Sequence, residues 1–265
     1  MTDETPLDRA HAAMQADAES DAARLGFYER LADCELFLML QSEVGDGDEN
    51  VTPELFELED ARYVLVFDRE ERLAAFSGQI TPYLALSGRT IAAMLADQGI
   101  GLGVNLEVAP SSILLPAEAV VWLHRTLGNA PDEVEARIAE VAPPTGLPER
   151  LVQAIDTKLA TAMGLASAAY LVSVTYDTGT RGHLLGFVGA VPEAQNALAQ
   201  AAAEALTFSG IEAGAMDVAF FRSADPVAEK LDRVGLRFDL PQPQETVTQT
   251  PAAPGSDPAQ PPKLK

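Results

Sequence analysis

The chain has 265 residues, of which 40 are acidic and 18 basic, so its formal net charge is −22. Proteins that bind nucleic acid or anionic lipid place Lys and Arg against phosphates, and this composition argues against both kinds of partner. A hydrophobic content of 47% excludes a globally disordered chain.

We expect neither a signal peptide nor a transmembrane helix in this sequence. Its single cysteine, Cys34, excludes an internal disulfide. The N-terminus is acidic where a signal peptide is basic and then apolar, and no apolar run approaches the length of about 18 residues that a transmembrane helix needs. We therefore expect a cytoplasmic protein that binds neither nucleic acid nor a membrane.

Acidic residues are concentrated at the start of the chain. Residues 1–60 contain 17 acidic and 3 basic residues, whereas 61–125 contain 6 and 5, and 126–240 contain 15 and 8. Such a run either keeps a surface solvated or docks a basic partner, and both interpretations are open at this point.

The first half of the chain alternates helical and strand patterns. Thr5 caps a helical segment that opens with Pro6, and Ser87 caps a helix that stops at Gly99. The spacing of two short apolar runs predicts an antiparallel hairpin between 55 and 67. Helices are predicted at 5–33, 69–76, 87–99 and 116–128, and strands at 35–41, 55–59, 63–67, 101–106 and 113–115.

A stretch rich in Gly and Pro at 128–148, with one short acidic helix at 132–141, indicates a domain boundary. Beyond it the pattern predicts helix, hairpin, helix, strand and helix, the order of a small α+β sandwich. Helices are predicted at 149–163, 193–208 and 226–234, and strands at 169–176, 184–191 and 216–221.

The expected architecture is two small mixed α/β domains in tandem, of the α+β or α/β class. The last segment holds seven prolines and no aromatic residue, which predicts a disordered tail. The divisions are 1–33 for a helical segment, 34–128 and 129–240 for the two domains, and 241–265 for the tail.

Several of these segments resemble the bacterial SseB family. The N-terminal likeness rests on Val66-Phe67-Asp68, Glu71-Arg72-Leu73, the helix at 86–95, Asn105 and the LLPAE step at 114–118. Residues 131–221 are similar to the family's C-terminal domain, chiefly through Ala169-Tyr170-Leu171 and residues 185–188.

The resemblance implies a non-catalytic cytoplasmic protein, linked by the family's name to serine sensitivity, because no reaction is generally attributed to the family. The chain departs from the family pattern at Asp68-Arg69, where members often have Thr and Ser, and at Leu106, where many have Pro.

Few side chains suggest chemistry. His11, His124 and His183 fall in different predicted elements, and none has a metal-ligating residue four positions away. Carboxylates flank Cys34 in the chain, which raises the pKa of the thiol and disfavours the thiolate, so we expect a core cysteine.

Two glycine patterns resemble binding loops only superficially. Ser87-Gly88 lacks the first glycine of a nucleophile elbow because Ala85 stands there. Gly99, Gly101 and Gly103 follow a helix and precede a strand, whereas a phosphate loop needs the reverse order, so a helix stop and a close-packed strand explain them better.

Asp46–Glu57 partly matches a calcium-binding loop. However, Val51 stands where the turn needs Gly, and Pro53 stiffens the segment. An acidic loop without metal is favoured. The oxygen ligands in the calcium frame would be Asp46, Asp48, Asn50, Glu54 and Glu57.

No catalytic, cofactor-binding or metal-ligating residue is therefore predicted, and no cofactor. The leading hypothesis is a non-enzymatic interaction or regulatory protein, with a partner whose basic surface meets the acidic face of residues 1–60. A sensor of an amino acid or other metabolite, with a pocket between the domains, is the alternative. A third possibility, an enzyme, would require two carboxylates with split pKa values in one cleft. The oligomeric state stays open.

Overall fold

The computed structural model describes residues 4–43, 51–58, 61–128, 137–210 and 216–242. In these ranges the chain forms eight α-helices and eleven strands in two sheets, which confirms the predicted mixed α/β class. The helices are α1 (Pro6–Ala16), α2 (Asp21–Asp33), α3 (Glu70–Ser77), α4 (Gly88–Leu95), α5 (Ala117–Leu127), α6 (Glu149–Leu159), α7 (Gln195–Phe208) and α8 (Pro226–Val234). The strands are β1 (Glu35–Met39), β2 (Leu55–Leu58), β3 (Ala61–Phe67), β4 (Tyr83–Ser87), β5 (Gly101–Val104), β6 (Ile113–Leu115), β7 (Ile138–Ala142), β8 (Ala168–Tyr176), β9 (Arg181–Val188), β10 (Met216–Phe221) and β11 (Leu236–Asp239).

The first sheet has the strand order β4-β1-β3-β5-β6, and β2 also pairs with β3. The predicted hairpin of β2 and β3 is confirmed, with Phe56 opposite Tyr63. Within this sheet only the β3–β5 pair is parallel, so these two strands end at the same edge.

The two faces of the first sheet are covered unequally. Helices α1, α2, α4 and α5 bury one face, with Phe27 and Ile91 among the fully enclosed side chains. On the other face, α3 alone among the described helices packs on the sheet, through Leu73 against Met39 and Phe67. An eight-residue helix is too short to cover six strands, because it is only about 12 Å long.

The second sheet has the order β10-β9-β8-β11, with β7 also paired to β8. Helices α6 and α7 bury one face through Leu151, Ile155 and Leu198. Helix α8 packs on the other face through Leu231. With α6 and α7 on one face and α8 on the other, the second sheet is the middle of three layers.

The structure differs from the sequence-based expectation at three strands. β4 and β11 were not predicted, and β7 replaces the C-terminal half of the acidic helix predicted at 132–141, whose first residues lie outside the described ranges. β7 forms because Val141 and its neighbours pair with β8, and this pairing overrides the helical preference of the Ala and Glu in the segment.

Contacts join the helices of the two sheets. Phe208, the last residue of α7, is 2% exposed and packs in the core of the first sheet. The Gln200 side chain donates to the Leu127 carbonyl at the end of α5. The exact domain limits stay a prediction. None of the described helices has the length and apolar composition needed to cross a bilayer.

The predicted disordered tail, 241–265, lies outside the described residues except for its first two. The Pro241 carbonyl accepts a hydrogen bond from the Gly164 N–H, and the Gln242 side chain donates to the Ala166 carbonyl. Those two residues therefore belong to the folded part of the chain.

Candidate functional site

The three histidines lie in three separate elements. His11 on α1 is buried against Phe27, with ring centroids 5.7 Å apart, and His124 on α5 is exposed. His183 on β9 is half-buried, with its Nε2 3.0 Å from the Thr145 carbonyl oxygen. Among the residues that the structure describes, no three His, Cys, Asp or Glu side chains are arranged to hold a metal ion.

Cys34 follows α2 and is half-buried, with its thiol donating to the Leu31 carbonyl. Burial, and secondly the carboxylate of Asp68, raise the pKa of this thiol to about 12. The predicted direction is confirmed. The main cause is burial, and Asp68 contributes more than the chain neighbour Asp33 does.

Gly101 and Gly103 are structural, as predicted. A Cβ at Gly101 would lie 2.6 Å from the Leu115 carbonyl oxygen, and one at Gly103 would lie 2.5 Å from Leu65 Cδ2. Ser87 accepts a hydrogen bond from the Thr90 N–H and so caps α4. In the calcium-like segment, Glu57 lies on β2, while residues 46–50 lie outside the described ranges.

A buried polar cluster lies where β3 and β5 end. Because the two strands are parallel, Asp68 and Asn105 come together, and the Asn105 amide oxygen accepts from the Asp68 N–H at 3.0 Å. Arg72 on α3 donates to Asp8 on α1 and to Asp68, at 3.0 and 2.8 Å. Ser111 donates to Asp8 and accepts from Asn105.

This cluster fixes α1 to α3 across the sheet edge. Burial raises the pKa of Asp8, but hydrogen bonds from Arg72 and Ser111 outweigh burial and hold the pKa well below its ordinary value. Asp68, one of the departures from the family pattern, also accepts a hydrogen bond from the Thr5 hydroxyl. Arg72 Nε is buried with no hydrogen-bond partner among the described residues. The cluster is sealed from solvent, so it serves as an anchor.

A second cluster joins the helices of the two sheets. The Lys158 ammonium on α6 lies 2.6 Å from an Asp33 oxygen on α2 and 2.9 Å from a Glu204 oxygen on α7. Arg89 on α4 pairs with the same two carboxylates, at 2.5 and 3.1 Å. Glu29 on α2 is farther from Lys158, at 3.6 Å. The Lys158 and Glu204 side chains are only 7% and 3% exposed.

The carboxylates of this cluster have pKa values on both sides of their ordinary range. Burial raises the pKa of Asp33 and of Glu204, but the ion pairs with Lys158 and Arg89 outweigh it and hold both values low. Burial raises the pKa of Glu29, because the more distant Lys158 offsets it only in part. An enzyme would need such a split, yet the two cations take up the oxygens of Asp33 and Glu204. This arrangement favours a structural contact.

A groove runs beside this cluster, between α2 and α6, with a volume of about 220 Å³. Arg30 and Glu29 line one wall, Arg150 lines the other, and Phe208 and Ser209 border it at the end of α7. The groove therefore lies between the helices of the two sheets, where the sequence-based alternative expected a pocket.

A second groove, of about 460 Å³, lies on the sparsely covered face of the first sheet. Leu73 of α3 and the loop before β4 line it, and Ile80 in that loop is fully exposed. Tyr83 on β4 is 38% exposed, and Ala85 beside it is also exposed. We call the exposed surface formed by Ile80, Tyr83 and Ala85 beside α3 the α3 face.

Neither cluster was predicted from the sequence, because their members lie far apart in the chain. Asp8 and Arg72 are 64 positions apart, and Asp33 and Lys158 are 125 apart. The only local signal was the cap at Thr5, which places Asp8 in the first turn of α1, where the Asp8 carboxylate accepts from the Thr5 N–H.

Comparisons with known proteins support the N-terminal resemblance. Residues 7–122 match the family model described as SseB protein N-terminal domain. No curated protein and no solved structure matches the chain. The similarity of residues 131–221 to the family's C-terminal domain stays a prediction.

Proposed function

We propose that this chain, whose residues 7–122 match the SseB N-terminal domain model, is a non-enzymatic protein-interaction module that docks a partner on its α3 face. The observation that carries the proposal is the unequal cover of the first sheet. Four helices bury one face, whereas apolar side chains of β4 and its preceding loop stay exposed on the other. Exposed apolar surface beside a groove is typical of protein-binding sites.

The edge of the sheet supports the same proposal. β4 pairs with β1 and with no other described strand, so one row of its backbone N–H and C=O groups has no partner within the described part of the sheet. An extended segment of another protein can add to such an edge by backbone hydrogen bonds, with side chains entering the adjacent groove.

The charge of this surface defines the partner. Glu70 and Glu71 lie in the first turn of α3, with Glu70 lining the groove. The partner we propose is therefore an extended segment with basic residues that flank an apolar side chain. A regulatory role connected with serine sensitivity, in the cytoplasm, belongs to the same proposal and would act through this contact.

The test is affinity capture on the immobilised full chain at low and at high salt, with two matched variants. Ile80→Arg places a positive charge in the groove, and Leu114→Arg makes the same kind of change at β6, the opposite edge strand. Both side chains are exposed, so both variants should fold. We expect a partner that the wild type retains at low salt and releases at high salt, because screening weakens exposed charge pairs.

Ile80→Arg should abolish this retention, and Leu114→Arg should preserve it. The proposal fails if no protein is retained at low salt, or if the two variants retain the partner equally well.

A further inference from the structure

Two arginines line the groove between α2 and α6. Arg30 and Arg150 both line it, and neither forms an ion pair with a carboxylate among the described residues. Arg89 and Lys158, close by, are each held by at least two carboxylates. The groove therefore has two arginines without a carboxylate partner among the described residues, and the one carboxylate that lines it, Glu29, faces Lys158 at 3.6 Å.

Gly26 gives an independent indication that the groove is kept open. It lies in the middle of α2 and lines the groove, where glycine costs about 0.5–1 kcal/mol relative to alanine. No atom lies within 4 Å of the position that a Cβ would take. Packing therefore does not require a glycine here, and the space that its missing side chain leaves belongs to the groove.

The size and chemistry of the groove limit the ligand. Its volume of about 220 Å³ is below the range of roughly 300–1,000 Å³ that accommodates drug-sized molecules. Guanidinium groups hold carboxylate and phosphate oxygens through paired N–H donors. The ring of Phe208 adds an apolar contact at the end of α7.

We propose that this groove binds a small organic anion with a carboxylate or phosphate group, held between Arg30 of α2 and Arg150 of α6. The site is independent of the α3 face, because α2 covers the opposite face of the first sheet. Since one arginine comes from each side, the bound anion joins the helices of the two sheets and stabilises their contact.

The test is isothermal titration calorimetry of the full chain with succinate and, separately, with inorganic phosphate, at low ionic strength. The variants are Arg30→Gln, Arg150→Gln and the groove-filling Gly26→Leu. Arg24→Gln is the matched control, because Arg24 lies on the same helix but pairs with Asp21 on the surface. Thermal unfolding of each variant without ligand checks that it is folded.

We expect at least one anion to bind the wild type and the Arg24→Gln control with equal affinity. Each groove arginine variant should bind about tenfold or more weakly, the usual effect of losing a charge-assisted hydrogen bond. Gly26→Leu should abolish binding. Binding of succinate alone identifies a carboxylate ligand, and binding of phosphate alone a phosphate ligand.

The inference is overturned if neither anion binds at millimolar concentration. It is also overturned if folded Gly26→Leu binds as the wild type does, or if Arg24→Gln loses as much affinity as Arg150→Gln.

Discussion

Asp8 organises the buried polar cluster of the first sheet. Its carboxylate accepts hydrogen bonds from Arg72, from Ser111 and from the Thr5 N–H. These three groups belong to α3, to the loop after β5 and to the residue that caps α1. The Asp8 side chain therefore connects the start of α1 with α3 and with the loop after β5, which are far apart in the sequence. It is also one of the two carboxylates that pair with Arg72.

We expect Asp8→Asn to lower the free energy of unfolding by about 3 kcal/mol at neutral pH, since removing one partner of a buried ion pair leaves the other charge poorly compensated. Chemical denaturation followed by circular dichroism measures the loss. Asp21→Asn is the control: Asp21 pairs with Arg24 on the surface, and such exposed pairs contribute at most about 1 kcal/mol.

The loss should depend on pH in a defined direction. The pKa of Asp8 is lower in the folded chain than its ordinary value of about 3.9, so its ionised form stabilises the fold above that value. As pH falls below about 4, the wild type loses this contribution and the difference from Asp8→Asn narrows. A difference that stays constant from pH 7 to pH 3 would contradict this role for Asp8.

Contacts between residues close in the sequence could be predicted, whereas contacts between residues of different elements could not. Thr5 was predicted as a cap, and its side chain accepts from the Asp8 N–H within one turn. The partners of Asp8, Lys158 and Arg89 were not predictable, because they are brought together by the packing of different elements. Hydrophobic periodicity states which side of a helix is buried and not which residue it meets.

At the scale of elements, most helices and strands were predicted, and three strands, β4, β7 and β11, were missed. The capped helix at Ser87 and the hairpin of β2 and β3 are present near the predicted positions. β4 was missed because Tyr83–Ser87 is short and runs straight into the helix cap. β7 was predicted as helix, since Ala and Glu favour helix and only pairing with β8 makes the segment extended.

Replacing glycine by alanine should have opposite effects on stability at Gly101 and at Gly26. Gly101→Ala places a methyl group 2.6 Å from the Leu115 carbonyl oxygen inside β5 and should destabilise the chain by about 1–3 kcal/mol. Gly26→Ala meets no atom within 4 Å on α2 and should stabilise it by about 0.5–1 kcal/mol. Thermal unfolding of both variants beside the wild type measures the two effects.

The pair serves as its own control, because both changes add the same atom. If Gly101→Ala unfolds at the wild-type temperature, then β5 is less tightly packed between β3 and β6 than the structure indicates. If Gly26→Ala lowers the unfolding temperature, the groove beside α2 is not open space.

At the scale of the whole molecule, the net charge of −22 does not describe a uniformly free acidic surface, because some of the acidic side chains form ion pairs within the fold. Of the acidic residues within 1–60 that the structure describes, Asp8, Glu29 and Asp33 pair with cations of other elements. The acidic face expected from the sequence therefore has three fewer unpaired carboxylates. They hold α1 to α3 and α2 to the helices of the second sheet.

Lys158 is the cation on which the contact between the two sets of helices depends most, because three carboxylates surround it. Lys158→Met keeps the length and apolar stem of the side chain but leaves Asp33, Glu204 and Glu29 with Arg89 alone among the cluster's cations.

We expect Lys158→Met to lower the free energy of unfolding by about 3–5 kcal/mol at pH 7. Lys230→Met, an exposed position on α8, should have little effect. The pKa of Lys158 is raised because the carboxylates outweigh burial. Its charge therefore stabilises the fold fully below the ordinary lysine pKa of about 10.4, and this stabilisation is lost as pH rises above that value.

Protease cleavage between 128 and 148 should be faster in Lys158→Met than in Lys230→Met if the cluster holds the helices of the two sheets together. Equal stability and equal cleavage of the two variants would show that Phe208 and the apolar contacts around it suffice to hold them.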